Sequence, residues 1–218
     1  MLKSRILLGP LVLLLSRAFA NADVAFDNFG PNNTYHNYGT WTGYLSPLGW
    51  SIDGTSIVPS ITGKLDRLTL GMTTSSSNNE FNLTLYEDNA DQPGDSFWTR
   101  TFTGMLGSYG SVVVLGSLDG PILQSNQKYW LVATVNDTVT SHSWWAGIST
   151  PINETARMNS FSGGNWWIYH NVEGWATRVE LIVPEPSLLI TGLSVIPFVF
   201  RRARRSSKRG SISPNRLP

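Results

Sequence analysis

The chain has 218 residues, no cysteine, 41% hydrophobic residues and a formal net charge of +1. The lack of cysteine excludes disulfides, thiolate metal sites and a cysteine nucleophile. Residues 21–183 hold six basic against fourteen acidic residues, which gives this region a net charge near −8 and argues against nucleic acid or anionic lipid as its partner.

The first segment has the pattern of a secretory signal. Lys3 and Arg5 precede an apolar run over residues 6–15, and Ala20 ends an Ala-Phe-Ala cleavage site. We expect residues 1–22 to be a signal peptide that is removed after Ala20 or two residues later. The alternative is an uncleaved amphipathic anchor.

Residues 23–183 alternate with a period of two, which is typical of strands with one buried face. Phe81, Leu83 and Leu85, for example, alternate with more polar neighbours. Strands are predicted over residues 24–29, 67–71, 81–86, 111–115, 129–135, 143–148, 166–170 and 176–183. Turns are predicted over residues 53–54, 73–79, 89–94, 119–121, 162–165 and 173–174. Because no long helical stripe interrupts this pattern, we expect one all-β domain, a β-sandwich with jelly-roll or Greek-key connections.

One predicted turn is rich in carboxylates. Asp88, Asp91 and Asp95 place several oxygen ligands around a Pro-Gly pair, a composition that suits calcium. The spacing fails the EF-hand pattern, and such residues are common in plain hairpin turns. Calcium is therefore a weak candidate, and otherwise we expect neither a metal nor a cofactor.

Motifs of known enzymes are missing from the sequence. It has no Gly-x-Ser-x-Gly elbow, no His-Glu-x-x-His pair and no phosphate loop, and His36, His142 and His170 lack zinc spacing. A glycosidase needs only two carboxylates at a suitable distance, so motifs alone leave that class open. We expect a protein without catalytic residues.

Nine tryptophans are a surplus for a domain of this size. Two pairs are adjacent in sequence, and neighbours on a strand point to opposite faces, so one member of each pair faces away from the core. Outward aromatic rings can stack on sugar rings. The candidate sugar-binding residues are Trp145, Trp166, Trp167 and Trp175. Burial on both faces, or a protein-binding surface, are the alternatives.

The C-terminal segment combines a proline-bounded motif, an apolar run and a basic cluster. Val183, Pro184, Glu185 and Pro186 precede an apolar stretch over residues 187–200. A helix of that length rises about 21 Å, which is short of the roughly 30 Å of the hydrocarbon core. Temporary residence in a membrane is predicted, with a buried helix and a solvated basic tail as the alternative. The basic cluster contains Arg201, Arg202, Arg204 and Arg205, and a basic tail of residues 206–218 follows.

Residues 184–205 resemble the PEP-CTERM sorting signal of exosortase substrates in Gram-negative bacteria. The Pro-Glu-Pro motif, the apolar run and the arginine cluster carry this resemblance. It implies that a membrane-embedded exosortase processes the chain near Pro-Glu-Pro. The protein would then pass from the inner membrane to the outer surface or the extracellular matrix, commonly in species that make exopolysaccharide.

The body of the chain is similar to the choice-of-anchor R domains. The similarity rests on Asn-Phe-Gly-Pro at residues 28–31, Asn-Leu-Thr-Leu-Tyr at 82–86, Asp-Gln-Pro-Gly at 91–94 and Lys-Tyr-Trp-Leu-Val-Ala at 128–133. It implies an exported all-β surface domain without assigned activity. The expected function is therefore structural or adhesive and non-enzymatic. The alternative is a carbohydrate-binding module for exopolysaccharide.

Overall fold

The computed structural model describes residues 22–45, 49–75, 78–107, 112–148, 153–159 and 161–184. Within these ranges the chain is all-β, with one 3-10 turn at Pro31–Asn33 and no α-helix. The strands are β1 Ala22–Asp27, β2 Gly39–Leu45, β3 Gly49–Ile57, β4 Gly63–Leu70, β5 Met72–Thr74, β6 Glu80–Asp88, β7 Pro93–Thr103, β8 Val113–Leu115, β9 Ile122–Leu123, β10 Tyr129–Thr134, β11 Ser141–Trp145, β12 Asn153–Asn159, β13 Trp167–Val172 and β14 Thr177–Ile182.

The strands form two antiparallel sheets. The smaller sheet has the order β1-β14-β4-β8, and β9 also pairs with β4. The larger sheet has the order β5-β11-β2-β3-β10-β6-β7, and the hairpin of β12 and β13 attaches to it through β3. Curled antiparallel sheets of this kind are consistent with a β-sandwich, which confirms the expected all-β class.

One main hydrophobic core lies between the two sheets. The smaller sheet contributes buried residues such as Leu68 and Val179, and the larger sheet contributes Phe81, Leu131 and the fully buried Trp144. On β14 the burial alternates strictly, so its valine and leucine point inward while its charged residues point outward. Each such side chain contributes about 1.5–3 kcal/mol when it is removed from water.

The prediction of a turn at Asp53 and Gly54 is wrong, because both residues lie in the middle of β3. The carboxylate of Asp53 is buried and has its own hydrogen-bond partners, so the strand can hold a charge. At Gly54 an added Cβ would lie 2.8 Å from Val132 Cγ2 and 3.1 Å from the Leu131 carbonyl oxygen. Glycine is needed here for close approach of β10, not for a turn.

Strand β3 carries neighbours on both edges and thereby positions the candidate site. Ser51 lies opposite Gly43 of β2 and Asn159 of β12, while Asp53 lies opposite Ala133 of β10 and Arg157 of β12. Directly opposed residues on neighbouring strands share a face. The inner face of the larger sheet therefore continues from the core onto the β12–β13 hairpin.

A second, smaller cluster covers the outer face of the larger sheet. Trp130, Val132 and Ala156 are fully buried there, and Trp166 and Ile168 pack against them. This explains why β10 is buried on both faces. It also fixes the β12–β13 hairpin to the body of the sheet.

The described strands belong to a unit that ends at Val183. Among the described residues, no helix is sufficiently long and apolar to cross a membrane. All of the predicted signal peptide except its last residue, Ala22, lies outside the described residues, and so does the predicted apolar segment of the sorting signal.

Candidate functional site

A cleft of about 780 Å³ is lined by the inner face of the β12–β13 hairpin and by residues at the start of β2, after β11 and between β13 and β14. Thr155 and Arg157 of β12 and Tyr169 of β13 line one side. Tyr38, which directly precedes β2, and Trp175 lie among the other lining residues. The cleft therefore combines three aromatic side chains with hydroxyl and guanidinium donors.

Asn171 lies two residues after Tyr169 on β13 and therefore on the same, cleft-facing side of the strand. Its φ angle is 56°, a left-handed conformation that asparagine tolerates better than most residues. The register between β12 and β13 also shifts between Asn153 and Thr155, as expected for a β-bulge. This irregularity coincides with a departure from strict alternation, because Val172, the residue after Asn171, lines the cleft as well.

The base of the cleft is an ion pair. Asp53 is fully buried and its Oδ1 lies 2.9 Å from Arg157 Nε, while Thr40 Oγ1 and Ser51 Oγ donate to the carboxylate at 3.0 and 2.9 Å. Burial raises the pKa of Asp53 above its ordinary value of 3.8, and Arg157 opposes that shift by charge and hydrogen bonding. The guanidinium also donates to the Thr40 hydroxyl. Arg157 is therefore held rigidly, with 30% of its side chain exposed.

Glu173 forms the acidic rim of the cleft. The Tyr38 hydroxyl donates to one of its carboxylate oxygens, and His36 Nε2 lies 3.3 Å from the other. The rings of His36 and Tyr38 stack with centroids 4.8 Å apart. These contacts orient the carboxylate while 41% of the Glu173 side chain remains exposed.

Trp175 joins the cleft to the main core. Its carbonyl accepts a hydrogen bond from Asn28 Nδ2 at 3.1 Å, and a β-bridge with Ala146 fixes its backbone. The ring packs against the main core and also lines the cleft. Its buried indole N–H has no hydrogen-bond partner among the described residues. Such an unpaired buried donor costs about 1–3 kcal/mol, so it favours an acceptor near Trp175.

The first predicted tryptophan pair divides between the two faces of β11. Trp144 is fully buried in the core, whereas Trp145 is partly buried and donates its indole N–H to Thr73 Oγ1 at 3.1 Å. Trp145 also stacks on Tyr35, with centroids 6.3 Å apart. It is not one of the residues that line the cleft.

The second pair also divides. Trp166 packs in the outer cluster and contacts Tyr86 edge to face at 6.5 Å. Trp167 lies opposite Arg157 in the β12–β13 register and is 44% exposed, so it stands beside the cleft on the same face. Of the four predicted tryptophans, the structure brings Trp175 into the cleft and places Trp167 next to it.

The calcium candidates take part in other contacts. Asp88 Oδ1 accepts the Trp130 indole N–H at 2.8 Å, and Asp91 Oδ1 accepts Lys128 Nζ at 2.7 Å. The hydrogen bond and charge of Lys128 lower the pKa of Asp91. Asp95 is exposed on β7. Within the described ranges, no group of three or more histidine or acidic side chains is arranged to hold a metal ion.

Lys128 instead links the β6–β7 turn to the β12–β13 hairpin. It also forms an ion pair with Glu154, whose other carboxylate oxygen lies 2.7 Å from His170 Nδ1. Burial disfavours the charge of Lys128, yet its hydrogen bonds to Asp91 and Glu154 leave its pKa raised. This network steadies the hairpin that forms one wall of the cleft.

The three histidines lie apart from one another in the structure. His36 is at the cleft rim, His142 is buried beside Phe81, and His170 is on the opposite face of the hairpin. Val183 and Pro184 follow β14 directly. The remaining predicted sorting residues, Glu185, Pro186, Arg201, Arg202, Arg204 and Arg205, lie outside the described residues.

Several cleft residues were not predicted from the sequence, namely Tyr38, Arg157, Tyr169 and Glu173. The aromatic surplus was a general signal, but no local pattern singled out these positions. Chemically, the cleft can stack flat apolar rings on its tyrosines while neighbouring groups donate and accept hydrogen bonds.

No protein-family model matches the chain, and no curated protein matches it closely enough to count as a relative.

Proposed function

We propose that this chain is an exported, non-enzymatic protein of the bacterial envelope or extracellular matrix, and that its β-sandwich is adhesive because it binds carbohydrate. In this proposal an exosortase-type enzyme processes the C-terminal Pro-Glu-Pro signal. The secretory pattern of residues 1–22 and the sorting pattern of residues 184–205 support the route. Jelly-roll or Greek-key connections remain part of the proposal.

The cleft is the observation that carries carbohydrate binding. Its volume of about 780 Å³ lies within the usual range for small-ligand sites, roughly 300–1,000 Å³. Tyr38, Tyr169 and Trp175 offer ring faces, and Asn171 and Arg157 offer polar atoms next to them. Sugars present both an apolar ring face and outward hydroxyls, so this combination suits them better than a purely apolar ligand.

The carboxylates of the cleft favour binding over catalysis. Of the described lining residues, Glu173 alone carries a carboxylate. Asp53 lies behind Arg157, fully buried and hydrogen-bonded. Glycoside cleavage generally needs two carboxyl groups that flank the same bond, about 5–10 Å apart and both in reach of the sugar.

Replacing Tyr169 with alanine should weaken binding of the preferred glycan at least about tenfold, because a stacking surface is lost. A glycan array with the full-length chain in detergent would identify the ligand, and titration calorimetry would give the affinities. Phe161→Ala is the matched control, because Phe161 is 74% exposed on the turn of the same hairpin and does not line the cleft. Failure to bind any glycan at millimolar concentration would reject carbohydrate binding.

Processing can be tested separately in the native host. Mass spectrometry of the mature protein should find a C-terminus close to Pro184 when the exosortase-type enzyme is present, and residues up to Pro218 when its gene is deleted. The reason is that a short apolar segment suits temporary rather than permanent residence in the bilayer. Recovery of the intact chain from both strains would contradict processing at this signal.

A further inference from the structure

The charges that line the cleft determine which class of saccharide it can accept. Among the described residues that line the cleft, Arg157 alone is basic. Its Nε lies 2.9 Å from the buried carboxylate of Asp53. This pair is close to neutral as a unit. Arg157 therefore offers directed N–H donors without offering an uncompensated positive charge.

Glu173 adds a negative charge that no lysine or arginine compensates among the described ion pairs. Its carboxylate lines the cleft and is oriented by the Tyr38 hydroxyl and by His36. A carboxylate accepts hydrogen bonds from sugar hydroxyls but repels a second carboxylate nearby. The net negative charge of the domain also repels an anionic saccharide, since residues 21–183 carry six basic against fourteen acidic residues.

We propose that the cleft selects a neutral saccharide and rejects the uronate saccharide of the same ring and linkage. This inference rests on the proposed carbohydrate binding and specifies its ligand class. The sugar ring stacks on Tyr169, the guanidinium of Arg157 donates to hydroxyls, and Glu173 accepts from hydroxyls. Selectivity arises because Glu173 disfavours a carboxylate in the position where it accepts a hydroxyl.

The test uses matched oligosaccharides as probes. Oligomers of glucose, mannose and galactose are compared with uronate oligomers of the same ring and linkage, using the full-length chain in detergent at pH 8, above the ordinary titration range of histidine. For the best-bound pair, the neutral oligomer should bind at least about tenfold more tightly than its uronate partner. Its affinity should change little with salt, because no net charge is neutralised on binding.

Glu173→Gln provides the decisive variant. It keeps the shape and an acceptor oxygen while removing the charge, so the ratio of neutral to uronate affinity should fall at least about fivefold. Glu87→Gln is the control, because Glu87 is exposed on β6, does not line the cleft and produces the same change in net charge. Thermal unfolding of both variants checks that the fold is retained.

The outcomes separate the two proposals. Tighter binding of the uronate oligomer, or a ratio that Glu173→Gln leaves unchanged, would overturn the selectivity inference while carbohydrate binding stands. If none of the oligomers binds at millimolar concentration, carbohydrate binding itself fails, and the selectivity inference fails with it.

Discussion

Replacing Asp53 with alanine should lower the free energy of unfolding by about 3 kcal/mol, as measured by urea denaturation at pH 7. The change removes the acceptor for Arg157, Thr40 and Ser51, and leaves those donors in a buried setting. We expect the lower end of the range for broken buried ion pairs, because 30% of the Arg157 side chain reaches solvent.

The control is Asp95→Ala, which removes an exposed carboxylate and should change stability by no more than about 0.5 kcal/mol.

The effect of Asp53→Ala should also depend on pH. Because burial raises the pKa of Asp53, the folded protein holds this proton more tightly than the unfolded chain. The stability difference between wild type and variant should therefore be larger below pH 3.8 and shrink as the pH rises through the folded-state pKa. The opposite slope would show that Arg157 outweighs burial.

Replacing Trp144 with alanine should lower the free energy of unfolding by about 4 kcal/mol. The side chain is fully buried in the main core, and its indole N–H donates to the Ala176 carbonyl at 3.2 Å. Truncation therefore creates a large cavity and also removes one of the two hydrogen bonds that the Ala176 carbonyl accepts, the other coming from the Gly71 N–H at 2.9 Å. Denaturant unfolding followed by circular dichroism measures the loss without relying on tryptophan fluorescence.

Trp167→Ala is the matched comparison for this core substitution. Trp167 is 44% exposed on β13, so its removal should cost less than about 1 kcal/mol. A loss at Trp144 no larger than at Trp167 would contradict the placement of Trp144 between the sheets. The contrast tests which tryptophans support the fold and which are free for ligands.

Strands with one buried face were predictable because their signal is local. Phe81, Leu83 and Leu85 alternate with polar residues, and all three are fully buried in β6. Strand β12 was missed for a related reason. Its inner face carries Thr155 and Arg157, which line the cleft instead of the apolar core, so no hydrophobic alternation marks it.

The misread turn in β3 has a long-range cause. Asp-Gly is a strong local turn signal, yet Asp53 is satisfied by Thr40, which precedes it in the chain, and by Arg157, 104 residues later. No sequence window contains those partners. The cleft was unpredictable for the same reason, because Tyr38, Tyr169 and Trp175 meet only once strands distant in sequence are paired.

The position of β14 has a consequence for how the domain matures. This last strand lies between β1 and β4, with Ile182 opposite Ala22 and Lys64. A chain that is synthesised or exported from its N-terminus onward therefore leaves one edge of β1 and one edge of β4 unpaired until β14 has emerged. Val183 is the single spacer between that strand and Pro184. If the chain were cut within the Pro-Glu-Pro motif, β14 would remain intact. Removal of a few more residues would shorten β14 and leave the edges of β1 and β4 unpaired, and unpaired edges are prone to aggregation.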